Sequence, residues 1–309
     1  SWRWIFAVNI PVCLIAVLAA RATMPEFGER KRRPVPVLAL AFAATGLIAL
    51  LIAFDRVTEW GWTSMAFAGL LVIGLSSLVA FVFAELRSEE SLIEVRMFAI
   101  PAFALTMAIV WFITASQFGR LLFVPLELQL VHGVTPFASG LALLPAAIGT
   151  AIVLPLGGRL TDRIGPKWPV TSGLAAVATA LFLLSRTSPA TGISTIALIL
   201  LLQGIGFGMA MMPNTITAMT VVPAPLLNRA SAARSLNRQV AASIGVALLI
   251  SSVVASLGSL TNEAGLPVDQ VQASYNRVYL IAALAVGASL TLALRLPDRR
   301  AFTEFRSRP

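Results

Sequence analysis

Nine apolar runs, each about the 20 residues a helix needs to cross a hydrocarbon core roughly 30 Å thick, make up most of this 309-residue chain. They lie near residues 2–21, 36–54, 63–84, 98–124, 137–157, 168–185, 194–213, 235–257 and 276–295. Backbone immersed in lipid must satisfy its own hydrogen bonds, so runs of this length read as spanning helices. The expected fold class is an all-α integral membrane bundle with about nine transmembrane helices. Composition agrees: 58% of residues are hydrophobic and 12% charged, against about 25% charged in a soluble domain.

The net charge of +9 raises nucleic acid as a partner. The basic residues, however, flank apolar runs instead of lining one polar face, which points to membrane lipids and no nucleic acid. The single cysteine, Cys13, lies inside the first run, so neither a disulfide framework nor a cysteine metal site is available. Arg outnumbers Lys by 21 to 2 and alanine is abundant, a bias associated with GC-rich bacterial genomes.

Of the 23 Lys and Arg residues, 18 fall in alternate connections. Placing 22–35 inside, with its block Arg30, Lys31, Arg32 and Arg33, also places inside 85–97, 159–167, 223–238 and the tail after Arg295. The opposite face keeps Arg3, Arg56, Arg120, Arg186 and Arg277. The positive-inside rule then predicts a cytoplasmic C-terminus. An odd number of spans puts Ser1 outside, yet no initiating Met or cleavable signal precedes it. A truncated chain is therefore expected. Trp2 and Trp4, and Trp60 and Trp62, fit an aromatic belt at the exterior face.

The connection 22–35, with Pro25, Gly28 and Pro34, is the expected linker between packed units, and 85–97 is a second. The expected division is a last helix of an N-terminal bundle at 1–21, a linker with two inserted helices at 22–97, a six-helix bundle at 98–295 and a cytoplasmic tail at 296–309. Pro125 and Pro213 stand toward the ends of the first and fourth helices of that bundle, which run in opposite directions. Proline removes a backbone hydrogen bond and breaks helices, and paired interruptions mark the moving parts of inverted-repeat transporters.

The run Gly157-Gly158-Arg159-Leu160-Thr161-Asp162-Arg163-Ile164-Gly165-Pro166-Lys167 joins two spans on the expected cytoplasmic side. It resembles the signature loop of the major facilitator superfamily. Its glycines allow close approach and a tight turn, Asp162 can act at a helix N-terminus, and Arg159, Arg163 and Lys167 offer cations to that carboxylate and to anionic lipid head groups. Gly157, Gly158, Asp162, Arg163, Gly165 and Lys167 are thus taken as a gating loop.

Three further stretches resemble the fourteen-helix drug:proton antiporters of the EmrB/QacA type. Ser1 to Pro11 looks like the opening of their sixth helix. Val124-Pro125-Leu126-Glu127-Leu128-Gln129, followed by Gly133, Gly140 and Pro145, is similar to the stretch after their seventh helix and the eighth helix beyond it. Pro223 to Gly245, with Ala230-Ser231 and Arg238-Gln239, resembles their tenth-to-eleventh-helix segment. The resemblance implies a major-facilitator-type bundle truncated from fourteen helices to the last nine. It also implies alternating access driven by a proton gradient, with a missing N-terminal helical bundle as partner and no cofactor. Under it, no residue of this chain inherits the proton-coupling role.

Polar groups within spans are expensive unless they face a cavity or a partner. The substrate-path candidates are Gln117, Arg120, Glu127, Gln203 and Asn214. Near Arg120 the family more often has a small or apolar residue, and at Glu127 an uncharged one. In an unbroken helix those two share a face but sit ~10.5 Å apart along the axis, too far to pair without a bend. Two placements are open to Arg120: contact with a small-molecule substrate, or snorkelling to the exterior interface. Gln203 and Asn214 can line the path or hydrogen-bond between helices. Met209, Met211 and Met212 suit either varied substrates or packing.

Gly204 and Gly208, and Ala241 and Gly245, read as close helix contacts. The Gly204 to Gly208 run lacks the strand-to-helix context of a nucleotide loop. One histidine, His132, and one cysteine exclude an ordinary zinc site. The expected function is secondary active efflux of drugs or other small amphipathic molecules across a bacterial cell membrane, with no enzyme activity. The alternatives are a membrane-embedded or lipid-modifying enzyme, which would need catalytic groups clustered at one depth, or a nonfunctional fragment of a transporter.

Overall fold

The computed structural model describes residues 9–23, 37–87, 94–257 and 267–306. Contacts divide the chain into residues 1–35 and 36–309. The first unit contributes one described helix, α1 (Asn9–Thr23), whose apolar stretch Cys13–Thr23 is shorter than a full span. Trp2, Trp4 and the basic block 30–33 lie outside the described residues.

The second unit holds α2 (Val37–Trp60), α3 (Met65–Arg87), α4 (Pro101–Leu130), α5 (Pro136–Ala142), α6 (Leu144–Ile164) and α7 (Lys167–Leu184). It continues with α8 (Ile193–Thr220), α9 (Leu227–Leu257), α10 (Val268–Ala293) and α11 (Arg299–Arg306). Among the described residues there is no strand. Eight candidate spans result, with α5 and α6 counted as one, Pro136–Ile164. At 1.5 Å per residue the 30-residue α4 is ~45 Å long, enough to traverse the head-group regions as well as the hydrocarbon. Large apolar side chains such as Ile148, Ile152, Leu198 and Leu284 are exposed, which suits lipid and not water. The chain is a multi-pass membrane protein.

α2 and α3 form a hairpin turned at Gly61, where φ is +81°. Trp62 packs edge-on against Phe54 and Phe67, with ring centroids 6.4 and 5.4 Å away. α2 also packs against α9. The remaining helices surround α8, which touches α6, α7 and α4, while α10 covers α7 and α4. Small residues make the α6–α8–α7 layer possible. A Cβ on Gly204 would run into the Ala146 carbonyl oxygen, and one on Gly173 would come within 2.5 Å of the Ala210 nitrogen. Backbones therefore meet directly, and dispersion and interhelical hydrogen bonds replace the hydrophobic drive that lipid removes. The Gly204 contact and the Gly245 contact with Ala115, at 2.8 Å, follow the small-residue spacing. Gly173 and Gly206 meet across α7 and α8 without any such spacing signal.

The main core joins Phe123, Leu128, Leu174, Leu181, Ile196, Leu200 and Tyr275 from α4, α7, α8 and α10. A second core at the other end joins Met97, Phe103, Met107, Ala218, Val221 and Ala233, with Phe305 of α11 packed on it.

Three expectations need correction. The helices outrun the apolar runs: α9 begins at Leu227 and not near 235, and α10 at Val268 and not near 276. Their added polar turns carry residues that hydrogen-bond inside the bundle, including Arg234 and Gln272. Pro125 and Pro213 do not break their helices, which continue to Leu130 and Thr220. Gln129 Nε2 donates to the Pro125 carbonyl at 3.0 Å and Thr217 Oγ1 to the Pro213 carbonyl at 2.7 Å, so side chains hydrogen-bond the backbone just beyond each proline. The signature run is hardly a loop. Gly157 to Ile164 finish α6, and only Gly165 and Pro166 separate it from α7. Asp162 accordingly lies in the last turn of α6 and not at a helix N-terminus.

Candidate functional site

Glu127, three residues before the end of α4, is 1% exposed. Its Oε2 accepts from the Tyr279 hydroxyl at 2.6 Å, and its Oε1 accepts from Gln272 Nε2 at 2.8 Å and Thr187 Oγ1 at 3.3 Å. Gln272 Nε2 also faces Asn276 Oδ1 at 2.9 Å and Thr187 Oγ1 at 3.2 Å, and Asn276 Nδ2 donates to the Thr187 carbonyl at 2.9 Å. Residues 4 and 7 after Gln272 fall on one face of α10, which explains why that helix alone supplies Gln272, Asn276 and Tyr279. The turn after α7 supplies Thr187. The cluster thus ties three elements at one end of the bundle through five side chains. Sequence reading found Glu127 by its oddity in an apolar run and missed its partners, which lie 60 to 152 positions away.

Two turns deeper on α4, Arg120 is 8% exposed, and its Nε and Nη1 are buried without a hydrogen-bond partner. No ion pair links it to Glu127, although both stand on one face of α4. Gln117 is half-buried. Gln203 on α8 donates to the Ser116 carbonyl at 3.5 Å and Asn214 to the Thr106 carbonyl at 3.1 Å, both buried. Their carbonyl oxygens, Gln203 Oε1 and Asn214 Oδ1, are buried with no partner. The α4–α8 seam therefore holds two amide acceptors, and α4 the Arg120 donors, with unspent hydrogen-bonding capacity, where buried polar atoms are ordinarily satisfied. A third amide, Asn237 on α9, accepts from Trp111 Nε1 at 2.9 Å and donates to the Met107 carbonyl at 3.0 Å. Met209, Met211 and Met212 are half-buried along α8.

At the opposite end, Gly165 has φ +82°, and a Cβ there would come within 2.8 Å of the Arg299 nitrogen. The α6–α7 turn is thus in contact with the start of α11, whose Phe302 is buried. Gly157 lies against Pro213 and Gly208, and Gly158 against Ile216 and Met212. Asp162 and Arg163 are exposed and Lys167 is half-buried. Arg234 on α9 donates to Thr215 on α8, and Arg229 pairs with Glu94 at 3.2 Å.

One cavity of about 450 Å³ lies between α2, α4 and α9 beside Asp55, Phe118, Gln239 and Ser243. Another of about 240 Å³ has wholly apolar walls including Trp111, Phe112, Gly245 and Leu249. Among the described residues no group of three or more His, Cys, Asp or Glu side chains is placed to hold a metal ion.

The sequence pattern of the Major Facilitator Superfamily matches residues 1–246. This chain belongs to that superfamily. The lincomycin resistance protein LmrB of Listeria monocytogenes is 28% identical over 250 residues, covering 81% of this chain and 53% of LmrB. The multidrug resistance protein Stp of Mycobacterium tuberculosis is 31% identical over 264 residues, covering 85% of this chain and 49% of Stp. The MFS-type transporter YcnB of Bacillus subtilis is 28% identical over 303 residues, which is 97% of this chain and 64% of YcnB. The chain spans about half to two thirds of the length of these relatives. A crystal structure of a bacterial homologue of the human lysosomal transporter Spinster shares the fold, with a TM-score of 0.54 at 14% identity over 88% of this chain and 68% of that one. Superfamily membership sets a membrane-embedded enzyme aside: the chain stands with transporters.

Proposed function

We propose that this chain is the C-terminal portion of a fourteen-helix drug:proton antiporter that exports drugs or other small amphipathic molecules from a bacterial cell by alternating access. The observation that carries the reading is the similarity to LmrB and Stp over more than four fifths of the chain, since both are named for drug resistance. The order of a two-helix hairpin followed by six spans supports the fourteen-helix branch. In this reading residues 1–21 close an N-terminal bundle, 22–97 are a cytoplasmic linker with the two inserted helices, 98–295 form the C-terminal bundle and 296–309 a cytoplasmic tail. The missing N-terminal bundle completes the translocation path. Energy comes from the proton gradient and not from a bound cofactor.

In this reading the protein sits in the plasma membrane with the α6–α7 turn, α11 and the C-terminus in the cytoplasm and the Glu127 cluster at the exterior end, an orientation that the charge bias of the connections supports. Gln117, Arg120, Gln203 and Asn214 face the path along the α4–α8 seam. Their unspent donors and acceptors then serve water and substrate, as polar groups at membrane depth do in transporters. The test is uptake of a fluorescent cationic drug by everted vesicles containing the complete protein. Uptake that a protonophore abolishes supports the reading; uptake driven by ATP alone, or no uptake of any drug in energised vesicles, contradicts it.

A further inference from the structure

Glu127 is a carboxyl group at membrane depth, fully enclosed, whose hydrogen-bond partners are all neutral: Tyr279, Gln272 and Thr187. The charged groups on the elements packed around it do not neutralise it. Arg186 after α7 and Asp269 and Arg277 on α10 are exposed, and Arg120 on α4 forms no ion pair with it. His132, just beyond the end of α4, is near enough for electrostatic interaction, but both its ring nitrogens lack a hydrogen-bond partner. Tyr279 and Tyr275 of α10 complete the titratable neighbours.

Such a group needs a positive counterpart, and the space left allows only a small one. Gln272 Nε2 fills the point where Glu127 Oε1, Asn276 Oδ1 and Thr187 Oγ1 converge, at 2.8, 2.9 and 3.2 Å. Those are hydrogen-bond separations, which leave no hollow for a metal cation with oxygen ligands at its own bonding distance. A proton fits. The Tyr279 hydroxyl can donate to an ionised Glu127 or, turned about its C–O bond, accept from a protonated one, so the cluster supports both states. Ionisation leaves a bare charge among neutral donors in a medium of low dielectric, whereas protonation removes it.

We propose that Glu127 is a proton-binding site which, when occupied, holds α4, α10 and the α7–α8 turn closed at this end of the bundle. The step is a simple protonation: an aqueous proton bonds to one carboxylate oxygen when the end opens and water reaches it, and the proton leaves by the same route when the end reopens. Glu127 stands within one turn of the end of α4, so it exchanges protons with that side and does not carry them across the bilayer. This deepens the antiport reading by giving the C-terminal bundle a proton site of its own, and it rests on that reading only for which side the proton comes from.

The test is a pH titration followed by infrared difference spectroscopy of the purified protein in lipid nanodiscs, which requires no transport. The expected result is a carboxylic-acid carbonyl band that fades as pH rises. It should be absent in Glu127→Gln, displaced in Glu127→Asp and retained in His132→Gln. Tyr279→Phe, which removes a donor to the ionised form, should move the midpoint to higher pH. A band unchanged in Glu127→Gln, or one that follows His132, overturns the proposal. So does a titration displaced when sodium chloride replaces choline chloride, because that makes a metal cation the ligand. Failure of drug uptake in vesicles with the band intact would instead count against the antiport reading alone.

Discussion

Individual residues show how unevenly a sequence reveals a buried site. Glu127 was visible because a carboxylate is rare in an apolar run, but Thr187, Gln272, Asn276 and Tyr279 carry no signal of their own and are brought to it by the packing of α10 on α4 and of α7 on α10. Gly204 was legible from its spacing with Gly208, whereas the Gly173–Gly206 crossing depends on the register of α7 against α8. Substitution of Gly204 by Ala forces a Cβ onto the Ala146 carbonyl. We expect a loss toward the upper end of the about 1–3 kcal/mol typical of overpacking, read from unfolding in mixed micelles. Asn237→Leu strands the Trp111 indole N–H and removes the side-chain donor that ties α9 to the Met107 carbonyl. Its expected cost is about 1–2 kcal/mol in the same assay, in keeping with interhelical hydrogen bonds in membrane proteins.

At the scale of elements, apolar runs located the helices of the second unit but not their ends. Hydropathy reports where lipid begins, while α9 and α10 continue as helix through polar turns that the bundle itself buries. Pro125 and Pro213 were poor guides as well: each removes one backbone hydrogen bond, and the packing of α4 and α8 in the bundle carries both helices through it. The α6–α7 turn depends on Gly165 at φ +82° and on the nearness of Arg299. Gly165→Val should dislodge α11 from the turn, seen as faster proteolysis after Asp298, while the separate hairpin of α2 and α3 keeps its wild-type resistance. Phe302→Ala, which empties a buried site on α11, should give the same pattern without strain in the turn, at a stability cost of about 3 kcal/mol.

Taken whole, the molecule was the most legible level, because the length and apolarity of the runs leave few other folds for such a chain in lipid. Membership in the superfamily and the eight candidate spans agree with that. Which end faces which compartment rests on charge bias, and the proposed function depends on it: in the proposed orientation Glu127 faces the exterior and the Gly165 turn the cytoplasm. The most direct test is labelling with a membrane-impermeant maleimide after Cys13, the sole cysteine, is replaced by serine. Single cysteines are then placed at Ser188, exposed beside the Glu127 cluster, and at Arg163, exposed beside the Gly165 turn. The account predicts that Ser188→Cys is labelled in intact cells and Arg163→Cys only in everted vesicles. Labelling of both positions from one side, or the reverse assignment, would contradict it.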